Sequence, residues 1–192
     1  MRKIDKRVEK TRELIISSFT SLILETDLKK ITIKSIAEKA NINRKTFYLH
    51  YSSIDEILFD YSLEITDNIL DELTNNGFFK VKDEEESLDI LIKVISNFVN
   101  KNYELAKKLL SNESYLIFIL EIKDLIKETF IMRLKNRVNM SQYKMNLIGD
   151  YIAYGFGKLL RDWFTDPGDM TIEEVAKLAS LLIYHGLYSV NN

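Results

Sequence analysis

A chain of 192 residues with 46% hydrophobic residues and a formal net charge of −2 can bury a sizeable core and has ordinary globular composition. No run approaches the roughly 18 apolar residues of a membrane span, and the absence of cysteine excludes disulfides and thiolate metal sites. One proline and six glycines leave few breakers, so an all-α fold of about nine helices is expected.

The charge is unevenly placed. Residues 1–52 carry twelve Lys and Arg against six Asp and Glu, a net of +6, leaving fifteen against twenty-three, a net of −8, in the rest. A basic head on an acidic body keeps affinity for polyanions local, because counterion release rewards positive charge only where phosphates lie. Chance segregation of surface charge gives the same totals, so the decision falls to the residues themselves.

The opening MRKIDKRVEKTREL is charged and lacks the apolar core of a secretory signal, so the expected location is cytoplasmic. A first helix is predicted from about Asp5 to Leu24, where Ile15, Phe19, Leu22 and Ile23 form an i, i+4, i+7, i+8 stripe. Its leading Arg2, Lys3, Lys6 and Arg7 either reach a phosphate backbone or minor groove or form a solvated tail.

Residues 32–51, TIKSIAEKANINRKTFYLHY, read as two short helices around a tight turn. Ile36, Ala37 and Ala40 give the first a small apolar face, and Asn41 tolerates the left-handed backbone that a sharp bend needs. Asn43 stands where an N-cap belongs, and Phe47 and Tyr51, four apart, anchor one side of the second helix in the core. Lys45, Tyr48 and Leu49 project from the far side, which suits a large polyanionic partner.

On these residues the segment resembles the DNA-binding signature of the TetR/AcrR-type transcriptional regulators. Thr32, Ile36, Ala37, Ala40, Ile42, Thr46, Phe47, Tyr48, His50 and Tyr51 fall on its pattern. Asn41 stands where the family has glycine, Lys45 where a small residue is common, and Ile54 where a lysine contacts phosphate. KRVEKTRELI, NRKTFYLHY and the later WFTDPG look like the branch that includes the coactivator of dihydroxyacetone kinase genes.

The resemblance implies a three-helix helix-turn-helix domain over residues 1–52 and a helical regulatory and dimerisation domain over 53–192. The expected DNA-binding residues are Thr32, Asn43, Arg44, Lys45, Thr46, Tyr48, Leu49 and His50. Arg44 and Lys45 suit phosphates or guanine edges, while Thr46 and Tyr48 suit phosphates. Four of the eight divide between roles: Thr32 and Asn43 are also caps, Leu49 touches a thymine methyl or its own chain, and His50 contacts backbone or packs internally.

Beyond the motif, Ser53-Ile54-Asp55-Glu56 reads as a capping box opening a helix to about Leu73, which Asn75-Asn76-Gly77 ends. Asp83 to Glu86 start another, with Leu88, Leu91, Ile92, Ile95 and Val99 on one side. Helices follow at about 103–111, 114–138, 143–165 and 172–189, the last pair separated by Asp166-Pro167-Gly168.

The final two helices are too apolar for a simple monomer. Ile152, Phe156, Leu159, Ala176, Ala179, Ile183 and Gly186 are the expected dimer interface, against the alternative of an ordinary monomer core. A two-fold dimer would match the half-sites of a palindromic operator. In regulators of this type the body encloses a small-molecule effector pocket, for which Tyr103, Tyr115, Phe118, Tyr151 and Trp163 are candidates; otherwise they are core.

Catalysis has thin support. His50 and His185 are the only histidines, no metal-ligand spacing or nucleophile set is present, and Gly155-Phe156-Gly157 lacks the third glycine of a nucleotide fingerprint. No metal, cofactor or membrane partner is expected. The sequence is therefore read as a cytoplasmic, homodimeric DNA-binding regulator, a repressor rather than an enzyme. Its alternatives are a coactivator working through a protein partner, and a helical enzyme or carrier with a vestigial head.

Overall fold

Scarcity of breakers and regular apolar spacing leave the chain little choice but helix, and the helix ends fall where capping residues stand. The computed structural model describes residues 6–112, 115–134 and 140–191, with side chains described for 7–112, 115, 119–133 and 140–183. Among them the elements are α1 (Lys6–Glu25), a 3-10 turn (Leu28–Lys30), α2 (Ile33–Lys39), α3 (Arg44–Tyr48), α4 (Ile54–Asn75), α5 (Glu84–Lys101), α6 (Tyr103–Ser111), α7 (Leu116–Leu134), α8 (Gln142–Thr165) and α9 (Ile172–Asn191).

Several boundaries have a local cause. Asp83 caps α5 by accepting from the Glu86 N–H at 2.8 Å, and three glutamates follow in the first turn, where the helix dipole favours them. Thr171 and Glu174 cap α9 reciprocally: Thr171 Oγ1 accepts from the Glu174 N–H at 3.2 Å, and the Glu174 carboxylate from the Thr171 N–H at 2.7 Å. Gly77 and Gly168, at φ of 81° and 52°, turn the chain after α4 and α8.

The cap of α4 differs from the expected capping box. Ser53 Oγ accepts from the Glu56 N–H at 3.2 Å, but the Glu56 carboxylate reaches back past Ser53 to the N–H of Ser52 at 2.6 Å and its hydroxyl at 2.7 Å. Those hydrogen bonds, the backbone one first, hold the Glu56 carboxyl below its ordinary value of 4.5.

One hydrophobic cluster runs without a break from Ile15, Phe19 and Ile23 of α1, through Ile36 and Phe47, along Ile57, Leu58, Ile65, Ile69 and Leu73 of α4, to Leu109, Tyr115 and Leu125. The basic head and acidic body therefore share one core, with α4 as its spine. A second cluster joins Val99, Ala106, Leu160, Trp163, Phe164, Ile172 and Val175, and the Trp163 indole N–H donates to the Met170 carbonyl at 2.8 Å. Lys108 of α6 donates from Nζ to the carbonyls of Ile23 and Leu24, both at 2.8 Å, tying the body to the C-terminal end of α1.

Candidate nucleic-acid interface and internal cavity

The turn between α2 and α3 is built from its sequence one hydrogen bond at a time. Thr32 Oγ1 accepts from the Ser35 N–H at 3.1 Å, while Ser35 Oγ accepts from the Thr32 N–H at 3.0 Å, so the start of α2 is closed by its own hydroxyls. At the other end Asn41 takes φ of 53°, its N–H donates to the Glu38 carbonyl at 3.1 Å, and the Ile42 N–H to the Ala37 carbonyl at 2.9 Å. That is a Schellman ending with asparagine in the left-handed position. Asn43 then caps α3, its side-chain oxygen accepting from the Lys45 N–H at 2.9 Å.

These bonds aim α3. Phe47 is fully buried and Tyr51 nearly so, which locks one side of the helix into the core. Opposite them Tyr48 is 58% exposed and Leu49 83% exposed, beside exposed Asn43, Arg44 and Lys45. Thr46 and His50 are half-buried, and Thr32 is exposed at the start of α2. Asn43 spends its oxygen on the cap, which leaves its amide NH2 as the group able to reach a base edge. Seven of the eight expected contact residues thus lie on α3 or within two residues of it, and Thr32 stands apart at the start of α2. Of the basic tail, Arg2 and Lys3 lie outside the described residues, as does the side chain of Lys6, and Arg7 is exposed in the first turn of α1.

Sequence reasoning placed Tyr51 in the core but missed what its hydroxyl does. Tyr51 donates to the Asp60 carboxylate, and Arg12 Nε donates to Asp60 Oδ2 at 2.6 Å and to the Tyr51 hydroxyl at 3.2 Å. The Asp60 hydrogen bond, then that of Tyr51, raises the Arg12 pKa; burial, then Asp60, raises that of the Tyr51 phenol. The cluster bolts the end of the helix-turn-helix to α1 and α4 together. Its one sequence signal was that a buried tyrosine hydroxyl needs a partner.

In the body, α4, α5, α7, α8 and α9 enclose a cavity of about 130 Å³. Its wall is mostly aliphatic, including Ile69, Leu73, Leu91, Ile95 and Leu125, with Phe156, Ala176 and Ala179 opposite, and its polar side chains are Glu84, Ser87, Thr129, Arg133 and Ser180. Tyr103, Tyr115, Tyr151 and Trp163 are not in this wall. Tyr115 is buried in the main core, Tyr103 meets Trp163 edge-on at 5.9 Å in the second cluster, and Tyr151 is 81% exposed. The Phe118 side chain lies outside the described residues. The aromatic residues in the wall are instead Phe78, Phe130 and Phe156.

The outer face of α8 and α9 carries a shallow apolar groove lined by Leu147, Tyr151, Tyr154, Gly155, Leu159 and Leu182 among others. Of the expected interface residues, Ile152, Ala176 and Ala179 are buried within the chain and Phe156, Leu159 and Ile183 are half-buried; Gly186 lies beyond the described side chains. The exposed stripe is rotated toward Leu147, Tyr151, Tyr154 and Leu182, the last 61% exposed. Among the described residues no group of three or more His, Asp or Glu side chains is placed to hold a metal ion, and no helix is long and apolar enough to cross a membrane.

Comparison with known proteins agrees with this geometry. A TetR-class family model, described as a transcriptional regulator C-terminal region, matches residues 85–185. YxbF of Bacillus subtilis (strain 168), an uncharacterized HTH-type transcriptional regulator, is 35% identical over 111 residues; the match covers 53% of this chain and 29% of that protein. A TetR transcriptional regulator from Streptococcus agalactiae 2603V shares the fold at a TM-score of 0.67 and 23% identity, covering 93% of this chain and 96% of the other. Thermus thermophilus FadR, a TetR-family repressor in complex with lauroyl-CoA, does so at 0.67 and 18%, covering 92% and 94%.

The chain belongs to the TetR-type transcriptional regulators, DNA-binding proteins with an N-terminal helix-turn-helix and a helical C-terminal region.

Proposed function

We propose that the protein is a homodimeric repressor that binds a palindromic operator through α3 and releases it when a small molecule enters the cavity. The carrying observation is the exposed Lys45-Tyr48-Leu49 face of a helix whose opposite side, Phe47 and Tyr51, is locked in the core. An exposed tyrosine and leucine beside two cations on so short a helix suit the floor of a major groove. Arg44 and Lys45 meet guanine edges or phosphates, Thr46, Tyr48, His50 and Thr32 contact the backbone, and Asn43 and Leu49 contact bases.

In this reading residues 1–52 bind DNA and residues 53–192 dimerise and sense. The α8–α9 groove packs against a second copy, with Leu147, Tyr151, Tyr154 and Leu182 as the new contacts and Ile152, Phe156, Leu159, Ala176, Ala179, Ile183 and Gly186 behind or beside them. Two heads then address two half-sites about 34 Å or a multiple of that apart.

Control runs along α4. Asp60, near its start, holds the Arg12–Tyr51 cluster, and Ile69 and Leu73, about 14 and about 20 Å further at 1.5 Å per residue, stand in the cavity wall. A ligand that fits the cavity only when α4 shifts therefore changes the spacing of the heads, a population shift between two states. The lauroyl-CoA held by the Thermus thermophilus neighbour is a precedent for an apolar effector body. The test is selection of bound fragments from genomic DNA: recovery of a shared palindrome, lost with Lys45→Ala, supports the reading, and recovery of no enriched fragment overturns it.

A further inference from the structure

Resting on the reading of the cavity as an effector site, we propose that it takes a small uncharged apolar molecule, a single ring carrying a short alkyl arm. The ring occupies the cavity itself and the arm enters a smaller void beside it. Size sets the first limit. At about 130 Å³ the cavity is close to the roughly 150 Å³ apolar cavity that stays dry and accepts benzene.

The wall gives a charged ligand nothing to pair with. Arg133 donates from Nη1 to the Val81 carbonyl at 2.9 Å and from Nη2 to the Glu84 carboxylate at 3.4 Å, and its guanidinium lies over the Phe78 ring at 5.3 Å. The two wall charges thus pair with each other and cancel. Ser87 donates to the Glu84 carbonyl at 2.9 Å, and the Thr129 hydroxyl is buried out of reach of the void. Ser180, the remaining polar side chain of the wall, carries no charge. An ion entering here sheds its water and gains no counter-charge, whereas an apolar molecule gains contacts with side chains that now face a void.

The arm follows from a second void. A space of about 60 Å³ lies among α4, α5, α6, α7 and α8, and Ile69, Ile95, Leu125, Ile126 and Phe156 line both it and the cavity. The partition between the two is therefore apolar side chain. An alkyl arm that turns one of these side chains to another staggered rotamer enters the second space without stripping any polar group of its partner. A ring alone fills the larger void and leaves the smaller one empty.

The test uses the full chain by titration calorimetry at constant neutral pH and ionic strength. Benzene, ethylbenzene and n-butylbenzene are compared with the anion benzoate and the cation benzylammonium. The three hydrocarbons are expected to bind one per chain, the alkylated rings several-fold more tightly than benzene. Both ions should bind at least about a hundredfold more weakly than ethylbenzene. Leu91→Phe, which enlarges a wall side chain, should weaken uptake of all three hydrocarbons, and Ile126→Val, which thins the partition, should favour n-butylbenzene over benzene further. Either ion binding as well as the hydrocarbons, no uptake of any hydrocarbon, or benzene binding as tightly as both alkylated rings overturns the proposal, and each is read on the unaltered protein. A DNA-shift assay with and without n-butylbenzene separates the claims. Shifted DNA without hydrocarbon uptake removes the ligand class alone, and uptake that leaves the shift unchanged removes the effector reading instead.

Discussion

Arg12 of α1 and Asp60 of α4 pair across the junction of head and body, with the Tyr51 hydroxyl hydrogen-bonded to both. The Arg12 side chain is 44% exposed, so water screens the pair, but the buried tyrosine hydroxyl depends on it. Asp60→Ala is expected to lower stability by about 1–3 kcal/mol and Tyr51→Phe by about 1 kcal/mol, measured by urea unfolding. Asp60→Ala should also weaken operator binding beyond the loss of folded protein, because α3 loses its attachment to α4.

Lys45→Ala and Tyr48→Ala remove exposed groups and should leave the thermal midpoint almost unchanged. Their effect belongs to DNA. Fluorescence anisotropy should show weakening of about 1–3 kcal/mol for each, with Lys45→Ala lowering the salt slope by about one ion if it meets a phosphate.

Asn41 at φ of 53° predicts an ordered response to substitution. Glycine should be neutral within about 0.5 kcal/mol, while valine should cost about 1–2 kcal/mol by straining the left-handed position. Circular dichroism melts of the two variants check the order.

Gly155 lies in the α8–α9 groove, and a Cβ there would meet nothing within 4 Å in its own chain. Gly155→Ala should therefore raise the helix stability of one chain by up to about 1 kcal/mol, yet weaken a dimer that packs closely on this face. Leu182→Glu should separate the protomers outright. Sedimentation of both variants against the unaltered protein gives the answer.

Acid should unfasten the start of α4. The Glu56 carboxyl titrates below its ordinary value of 4.5 in the folded state, so its contribution is complete above about pH 4.5 and is lost as pH falls through the lowered value. Glu56→Gln should flatten that part of the stability profile, read from urea midpoints across the acid range.

The helix-turn-helix was legible because local chemistry writes it: Asn41 for the bend, Asn43 for the cap, Phe47 and Tyr51 for the buried side. The helix limits were legible for the same reason, as Asp83, Thr171 and Gly77 each act within a few residues. What joins the elements was not. Arg12 and Asp60 are 48 positions apart, and nothing near either announces the other. The cavity escaped for a related reason: its wall combines Phe78, Phe130 and Phe156 with aliphatic residues from five helices, and no local spacing says which apolar side chains will face a void and which will fill the core. The α8–α9 stripe was legible in part: Ile152, Phe156, Leu159, Ala179 and Ile183 do line the outer groove, but the more exposed Leu147, Tyr151, Tyr154 and Leu182 complete it, because a helix apolar over most of its circumference does not say which side its own chain covers.

Ile152, Phe156, Ala179 and Ile183 line both the internal cavity and the outer groove, so a ligand and a second protomer would press on one shared wall. The most direct measurement of the central claim is fluorescence anisotropy of a genomic palindrome, whole and cut to one half-site, across a range of salt. Two protomers per duplex, much tighter binding of the whole site and a steep salt dependence lost in part with Lys45→Ala are the predicted result. Equal binding of whole and half sites, or no binding of any genomic fragment at low salt, would contradict it.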